Sequence, residues 1–353
     1  MNLRDNVKSA QNKVAKEANA LSEQMLALPV GEISRLALFE DIINLEIGDT
    51  SLMRAKSLER QFDIRQLYIK YEGNNPTGTQ KDRIAFAQVY DALRRGYDRI
   101  VLATCGNYGV AVSLAANLAH LQCMVYIPAG YHTDRIAEME SLGAEIIRAE
   151  GTYEDVVRTS SEAALKNDWY DANPGGENTP IQINAYAQIA FEIYDDLRDA
   201  PKFCAVPVSN GTLFAGIYRG FVSLYKRGKT SRIPRMIAAS STHKNPIIHS
   251  FSKGFKTCVD LDPAKIKETS INEPLINWHS FDGEEALQAL YESNGLAYHI
   301  SDKAMKEMSA LLLKVEGSKI LPASTAGLIG LLKANEEFEL EPDRFVAVLT
   351  ARD

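Results

Sequence analysis

The stretch Asn75-Pro76-Thr77-Gly78-Thr79-Gln80-Lys81-Asp82-Arg83 sets a lysine directly after a turn built on proline and glycine, at the start of a helical run from Asp82 to Leu93. Proline and glycine interrupt periodic structure, so Lys81 is expected where a loop meets a helix N-terminus. There the unpaired N–H groups and the positive end of the helix dipole disfavour an ammonium and help to lower its pKa. A nucleophilic lysine must lose its proton near neutral pH from a reference value of about 10.4, so this setting suits that chemistry. Taken alone, Lys81 also reads as an ordinary solvated lysine in a KDR charge cluster.

The segments on either side decide the fold class. Ile64 to Lys70, with the alternating run Leu67-Tyr68-Ile69-Lys70-Tyr71, reads as a strand leading into the lysine loop. Beyond the helix come an apolar strand, Asp98 to Ala103, the loop Thr104-Cys105-Gly106-Asn107-Tyr108-Gly109, and a helix of small residues from Val110 to Leu121. The alternation continues with strands at 123–127, 145–149, 203–208, 236–240, 297–300 and 345–349 and helices at 134–142, 153–167, 186–197, 214–226, 283–294 and 302–316, the last capped by Ser301. Strands alternating with helices imply α/β architecture with parallel sheets and right-handed crossovers, and ligands bind such sheets at the carboxyl ends of the strands. Residues 1 to 46 read as two helices, the first with an apolar side of Val14, Ala18, Leu21, Met25, Leu26 and Leu28. Residues 257–282 have weak periodicity and read as loop-rich.

Composition removes several classes of function. With 353 residues, 45% hydrophobic and 24% charged, the chain has ample material for a core or for two domains. Its net charge of −7 carries no basic excess, which argues against nucleic acid as a partner. No segment approaches the roughly 20 apolar residues of a membrane span, and the polar N-terminus lacks a signal-peptide core, so a cytoplasmic protein is expected. Cys105, Cys123, Cys204 and Cys258 show no CxxC spacing and the histidines no HExxH pattern, so neither a metal nor a disulfide framework is expected.

Three loops together, Asn75 to Arg83, Thr104 to Gly109 and Ser209-Asn210-Gly211-Thr212-Leu213, resemble those of the fold type II pyridoxal-phosphate enzymes, nearest to threonine synthase and its relatives. The family's NPTGSFKDR stands here as NPTGTQKDR and its TSGNTG as TCGNYG, and the similarity runs from Gly48 to the C-terminus through Glu150-Gly151-Thr152-Tyr153-Glu154-Asp155 and Val348-Leu349-Thr350. The resemblance implies two three-layer α/β/α domains with mainly parallel sheets: residues 47–84 with 198–353 as the larger, cofactor-binding domain, 85–197 as a smaller mobile one, and 1–46 as a helical extension. It implies that Lys81 holds pyridoxal 5'-phosphate as a Schiff base and shuttles protons, and that Asn107 bonds the phenolic oxygen of the ring. By the same resemblance the 209–213 loop cradles the phosphate at a helix N-terminus and the Thr350 hydroxyl faces the ring nitrogen. Thr104, Cys105, Gly106, Asn107, Tyr108 and Gln182 would receive the amino-acid substrate, and a homodimer is implied by analogy.

The family pattern is broken at informative places. The threonine that follows GN in threonine synthases is Tyr108 here, the arginine of their NPYR segment aligns with Gln182, and Gln80 replaces an aromatic residue. A phosphate deprived of its bidentate arginine loses a contact of roughly 1.5–3 kcal/mol, so weak turnover of O-phosphohomoserine is expected. Lys244 offers a replacement charge, though it reads more readily as a solvated surface lysine. The expected chemistry is elimination or replacement on a β- or γ-substituted amino acid, with threonine synthesis as the first substrate assignment. A serine/threonine ammonia-lyase or a β-replacing synthase making a cysteine-, cysteate- or diaminopropionate-type product is the alternative. A catalytically silent binding subunit is an alternative of another class, since the chain ends at Ala351-Arg352-Asp353 where the family continues GxGLKD.

Overall fold

The computed structural model describes residues 16–20, 23, 32–104, 106–131, 133 and 135–353. In chain order the elements are α1 (Glu32–Glu46), β1 (Leu52–Arg54), α2 (Lys56–Gln61), β2 (Leu67–Tyr71), α3 (Lys81–Arg94), β3 (Arg99–Ala103), α4 (Asn107–Ala119), β4 (Gln122–Pro128), α5 (Arg135–Ser141), β5 (Glu145–Ala149), α6 (Tyr153–Asn167), β6 (Tyr170–Asp171), α7 (Thr179–Leu197), β7 (Phe203–Pro207), α8 (Thr212–Lys226), β8 (Arg235–Ser241), α9 (Pro246–Ser252), α10 (Gly283–Glu292), β9 (Leu296–Ile300), α11 (Asp302–Glu316), α12 (Ala326–Phe338) and β10 (Phe345–Leu349). Contacts divide the chain into two units. One joins the described residues up to Ile47 to Asn75–Gln182, and the other joins Gly48–Asn74 to Ile183–Asp353.

The first unit carries a four-stranded sheet in the order β5-β4-β3-β6, parallel throughout. Its central strand β3 is apolar and buried from Ile100 to Ala103, as a strand covered on both faces must be. Helix α4 is built from small residues and is buried from Tyr108 to Ala116. Close approach explains this: a Cβ on Gly109 would stand 2.7 Å from Thr104 Cγ2 and collide with the Met139 sulfur. Phe39 of α1 stacks on Phe86 of α3 at 5.6 Å, which fastens α1 to the unit. Of the first predicted helix, Ala18 is buried, while Val14, Leu21, Met25, Leu26 and Leu28 lie outside the described residues.

The second unit carries a six-stranded sheet in the order β1-β2-β10-β7-β8-β9, in which only β1 runs antiparallel to its neighbour. Strands β7 and β10 sit at its centre and are buried at every position, and Phe203 and Phe345 meet there at 6.0 Å. One face of this sheet packs against α11 and α12 through Met305, Leu312, Leu328 and Leu331, each nearly or wholly buried. Full burial of a side chain of that size contributes about 1.5–3 kcal/mol.

The predicted elements recur with shifted ends, and the larger shifts have local causes. Helix α4 begins at Asn107 rather than Val110, because the Gly106 carbonyl already accepts the N–H groups of Gly109 and Val110. Helix α7 begins at Thr179, seven residues before the predicted start, since Pro180 lies in a first turn where no N–H is needed. Helix α9, absent from the helices expected from the sequence, is capped by the Asn245 side chain, which accepts from the N–H groups of Ile247 and Ile248. Among the described residues, no helix is long and apolar enough to cross a membrane.

Candidate active site

The lysine loop is a buried, internally tied structure. Asn75 to Gly78 close a turn through a 2.8 Å backbone bond, and Gly78 takes a positive φ of 85° that favours glycine. The Asp82 carboxylate reaches back across the loop, accepting from Thr77 N at 2.8 Å and Thr77 Oγ1 at 2.7 Å. Thr79 Oγ1 accepts from the N–H of Lys81 at 2.9 Å. Asn75, Thr79, Asp82 and Arg83 are all buried, so the KDR run is not a solvated charge cluster. Lys81 itself is half-buried and is the first residue of α3, which is the loop-to-helix position the sequence predicts. Its Nζ lies 5.2 Å from the centroid of the Tyr108 ring.

The second loop follows β3 in the same unit and ends in α4. Thr104 is buried, its N–H donates to Tyr126 O at 3.0 Å, and its hydroxyl oxygen accepts from Gly106 N at 3.4 Å. Gly106 is the N-cap of α4, so the N–H groups of Asn107 and Tyr108 belong to a first turn with no intrahelical acceptor. Asn107 is half-buried, and its side-chain amide makes no hydrogen bond among the described residues. Cys105 lies outside the described residues. Tyr108 and Gln182 are buried and meet through Gln88, a residue absent from the sequence-based set. Its signal was nonetheless there, because a polar residue two turns after Lys81 falls on the same, buried face of α3.

The third loop, in the second unit, joins β7 to α8. Its carbonyl oxygens are tied back into the protein: Ser209 O accepts from Asn245 Nδ2 at 3.0 Å, and Asn210 O accepts from the N–H of Asp282 at 3.1 Å. With its acceptors occupied in this way, the loop presents N–H groups at the positive end of a 15-residue helix, a donor set suited to a phosphate. The Thr212 hydroxyl donates to Asp282, so its proton is committed there and the backbone of 209–213 supplies the donors. Thr350 closes β10 in the same unit. Its N–H and that of Ala351 both donate to Ser324 Oγ, and the two hydroxyls of Thr350 and Ser324 stand 3.1 Å apart. Lys244 donates to Lys267 O at 2.6 Å, which gives it a partner of its own.

Taken loop by loop, the donor sets suit the separate groups of an aromatic aldehyde bearing a phosphate. A half-buried primary amine begins one helix, an uncommitted amide begins another, and an acceptor-depleted loop begins a third.

Comparison with known proteins agrees with that chemistry. The sequence profile of the family described as "Pyridoxal-phosphate dependent enzyme" matches residues 43–351. The threonine synthase of Methanocaldococcus jannaschii is 29% identical over 345 residues, which cover 97% of this chain and 82% of that protein. The threonine synthase of Bacillus sp. (strain ULM1) is 30% identical over 311 residues, 87% of this chain and 83% of that one. In structure, a pyridoxal 5'-phosphate-dependent aspartate racemase matches with a TM-score of 0.73 at 20% identity, covering 92% of this chain and 97% of that chain. Maize serine racemase matches with a TM-score of 0.73 at 17% identity, covering 91% and 94%. Such structural likeness speaks for the fold, that of the fold type II enzymes. With a profile that covers both sheets and loops whose donors suit the cofactor, the chain belongs to the pyridoxal-phosphate dependent enzymes.

Proposed function

We propose that this enzyme eliminates or replaces a substituent on the β or γ carbon of an amino acid, in the manner of threonine synthases, with Lys81 as the residue that carries the cofactor. The observation that carries this reading is the setting of Lys81: a half-buried amine at the start of α3, on a loop that Asp82 holds closed. When bound, pyridoxal phosphate supplies an aldehyde that condenses with amines and a ring that delocalises the electron pair left at the substrate Cα.

The protein's own groups have distinct tasks in this reading. The Lys81 amine takes the α-proton and returns a proton to the product. The first-turn N–H groups of α4 and the Thr104 hydroxyl bind the substrate α-carboxylate, which needs several donors once water is excluded. The Asn107 amide donates to the phenolic oxygen, and the 209–213 backbone holds the phosphate. Thr350 opposes the ring nitrogen with a hydroxyl whose partner is Ser324. A neutral hydroxyl does not hold that nitrogen protonated as a carboxylate would, which favours elimination and replacement.

The relatives named threonine synthase favour threonine as product, formed from an activated homoserine. A hydroxyl- or acyl-bearing amino acid is the second reading, favoured by the neutral residues Tyr108 and Gln182.

The test is to reduce the loaded enzyme with borohydride and map the modified peptide by mass spectrometry. The label is expected on Lys81, and Lys81→Ala is expected to lose the visible absorbance band of the bound cofactor. A label on another lysine, or a band that survives in the variant, would overturn the assignment.

A further inference from the structure

Tyr108 is held in place by a network of hydrogen bonds. Its hydroxyl donates to Ala172 O at 2.7 Å and accepts from Gln88 Nε2. Gln88 Nε2 also reaches Ile84 O at 3.3 Å, and Gln88 Oε1 accepts from Gln182 Nε2 at 3.2 Å. The same Gln182 amide donates to Asn173 O at 3.0 Å and stands 3.3 Å from Ala172 O. Tyr108 is 7% exposed, Gln88 0% and Gln182 1%. The one proton of the phenol and the donors of both amides are therefore spent inside the protein, while the ring of Tyr108 lies beside the Lys81 amine.

This arrangement decides which charge is tolerated next to that amine. An aromatic face carries the negative part of the ring quadrupole and attracts cations but not anions. A phosphate group there would meet that face, and it would find no uncommitted side-chain donor on Tyr108, Gln88 or Gln182 to replace the water it had lost. Desolvating a charge without such partners is costly.

Resting on the reading of Lys81 as the cofactor lysine, we infer that Tyr108 is a specificity-determining residue that admits substrates with a small uncharged side-chain substituent, hydroxyl or acyl ester, and turns away phosphorylated ones. Gln88 and Gln182 are positioning residues that act through Tyr108.

The experiment measures dissociation constants by calorimetry on the cofactor-loaded enzyme, with L-serine, L-threonine, O-acetyl-L-serine, O-phospho-L-serine and O-phospho-L-homoserine. The best neutral ligand is expected to bind at least about tenfold more tightly than either phosphorylated one, the factor equivalent to one charge-assisted hydrogen bond. Tyr108→Ser, which removes the ring, is expected to shrink that ratio to about threefold or less. Gln88→Leu, which frees the ring, should move it in the same direction, whereas a residue of purely structural importance would shift the melting temperature and leave the ratio alone. Tyr108→Phe keeps the ring and is expected to retain the preference for neutral ligands, so the inference stays testable if the serine variant does not fold. Phosphorylated ligands binding as tightly as neutral ones to the parent enzyme would overturn the inference, as would an unchanged ratio in the folded Tyr108→Ser and Gln88→Leu variants or a lost preference in Tyr108→Phe. These results leave the lysine assignment standing, because that assignment fails separately, on the site of the borohydride label.

Discussion

Buried residues of opposite sequence character show how a single side chain is used in this fold. Lys70 lies in β2 and is fully buried, its ammonium 2.6 Å from Glu192 of α7 and donating to Thr50 O. Glu192 also accepts from the N–H groups of Asp49 at 3.0 Å and Thr50 at 3.3 Å, while Glu72 accepts from Thr50 Oγ1 at 2.7 Å. Removing one member of a buried ion pair leaves the other desolvated and unpaired. Lys70→Met is therefore expected to destabilise the enzyme by about 3 kcal/mol, with part of the loss recovered when Glu192→Gln is added. Equilibrium urea unfolding checks this, and an unchanged midpoint in the single variant would contradict it. Cys123 and Cys204 show the other case, since burial pushes their thiols up to about 12, for Cys123 against a hydrogen bond with Ser113 that lowers it, and leaves them unreactive at neutral pH.

At the scale of elements, the junction of β7 and α8 is a tightly constrained turn. Gly211 has a φ of 102°, and a Cβ there would stand 2.6 Å from Asp282 O and 2.9 Å from Ala286 Cβ. Backbone that L-residues avoid and a neighbouring main chain that cannot yield together require glycine. Gly211→Ala is expected to lower both stability, by about 1–3 kcal/mol, and cofactor affinity, because the displaced turn carries the N–H donors of α8. Fluorescence titration of the apoenzyme with pyridoxal phosphate measures the second effect. If affinity stayed at the parent value in a folded variant, the loop would not hold the phosphate. Other element ends were easier to read. Thr152 starts α6 with a capping box that pairs it reciprocally with Asp155, and Ser301 starts α11 by accepting from the N–H of Ala304.

Across the whole molecule, pH dependence follows from histidines near the ends of β8 and β9. The pKa of His299 is lowered from 6.5, first by burial and then by its neighbours His243 and His249, with a smaller effect of Lys333 and against a backbone hydrogen bond with Ser241 that raises it. Below pH 6.5 the unfolded chain takes up a proton that the folded His299 resists, so the stability contributed by this site is present above 6.5 and is lost as the pH falls. Melting temperatures at pH 7.5 and 5.5 are expected to differ less in His299→Gln than in the parent, and equal differences would refute the account.

The sequence by itself determined the α/β class, the parallel strands, the order of elements and the cofactor family. These are properties of local periodicity, of turn residues and of three short loops, each written in consecutive positions. Asn107 at the first residue of a helix rather than in a loop, the early start of α7 and the capped helix α9 depended on backbone partners that propensity does not specify. Only the tertiary structure decided that Tyr108, Gln88 and Gln182 form one network, that Asp82 and Arg83 are buried, and that Asp282 claims the Thr212 hydroxyl. Those pairings join residues far apart in the chain, and hydrogen bonding and burial between distant residues follow from how the elements pack, which no local pattern records.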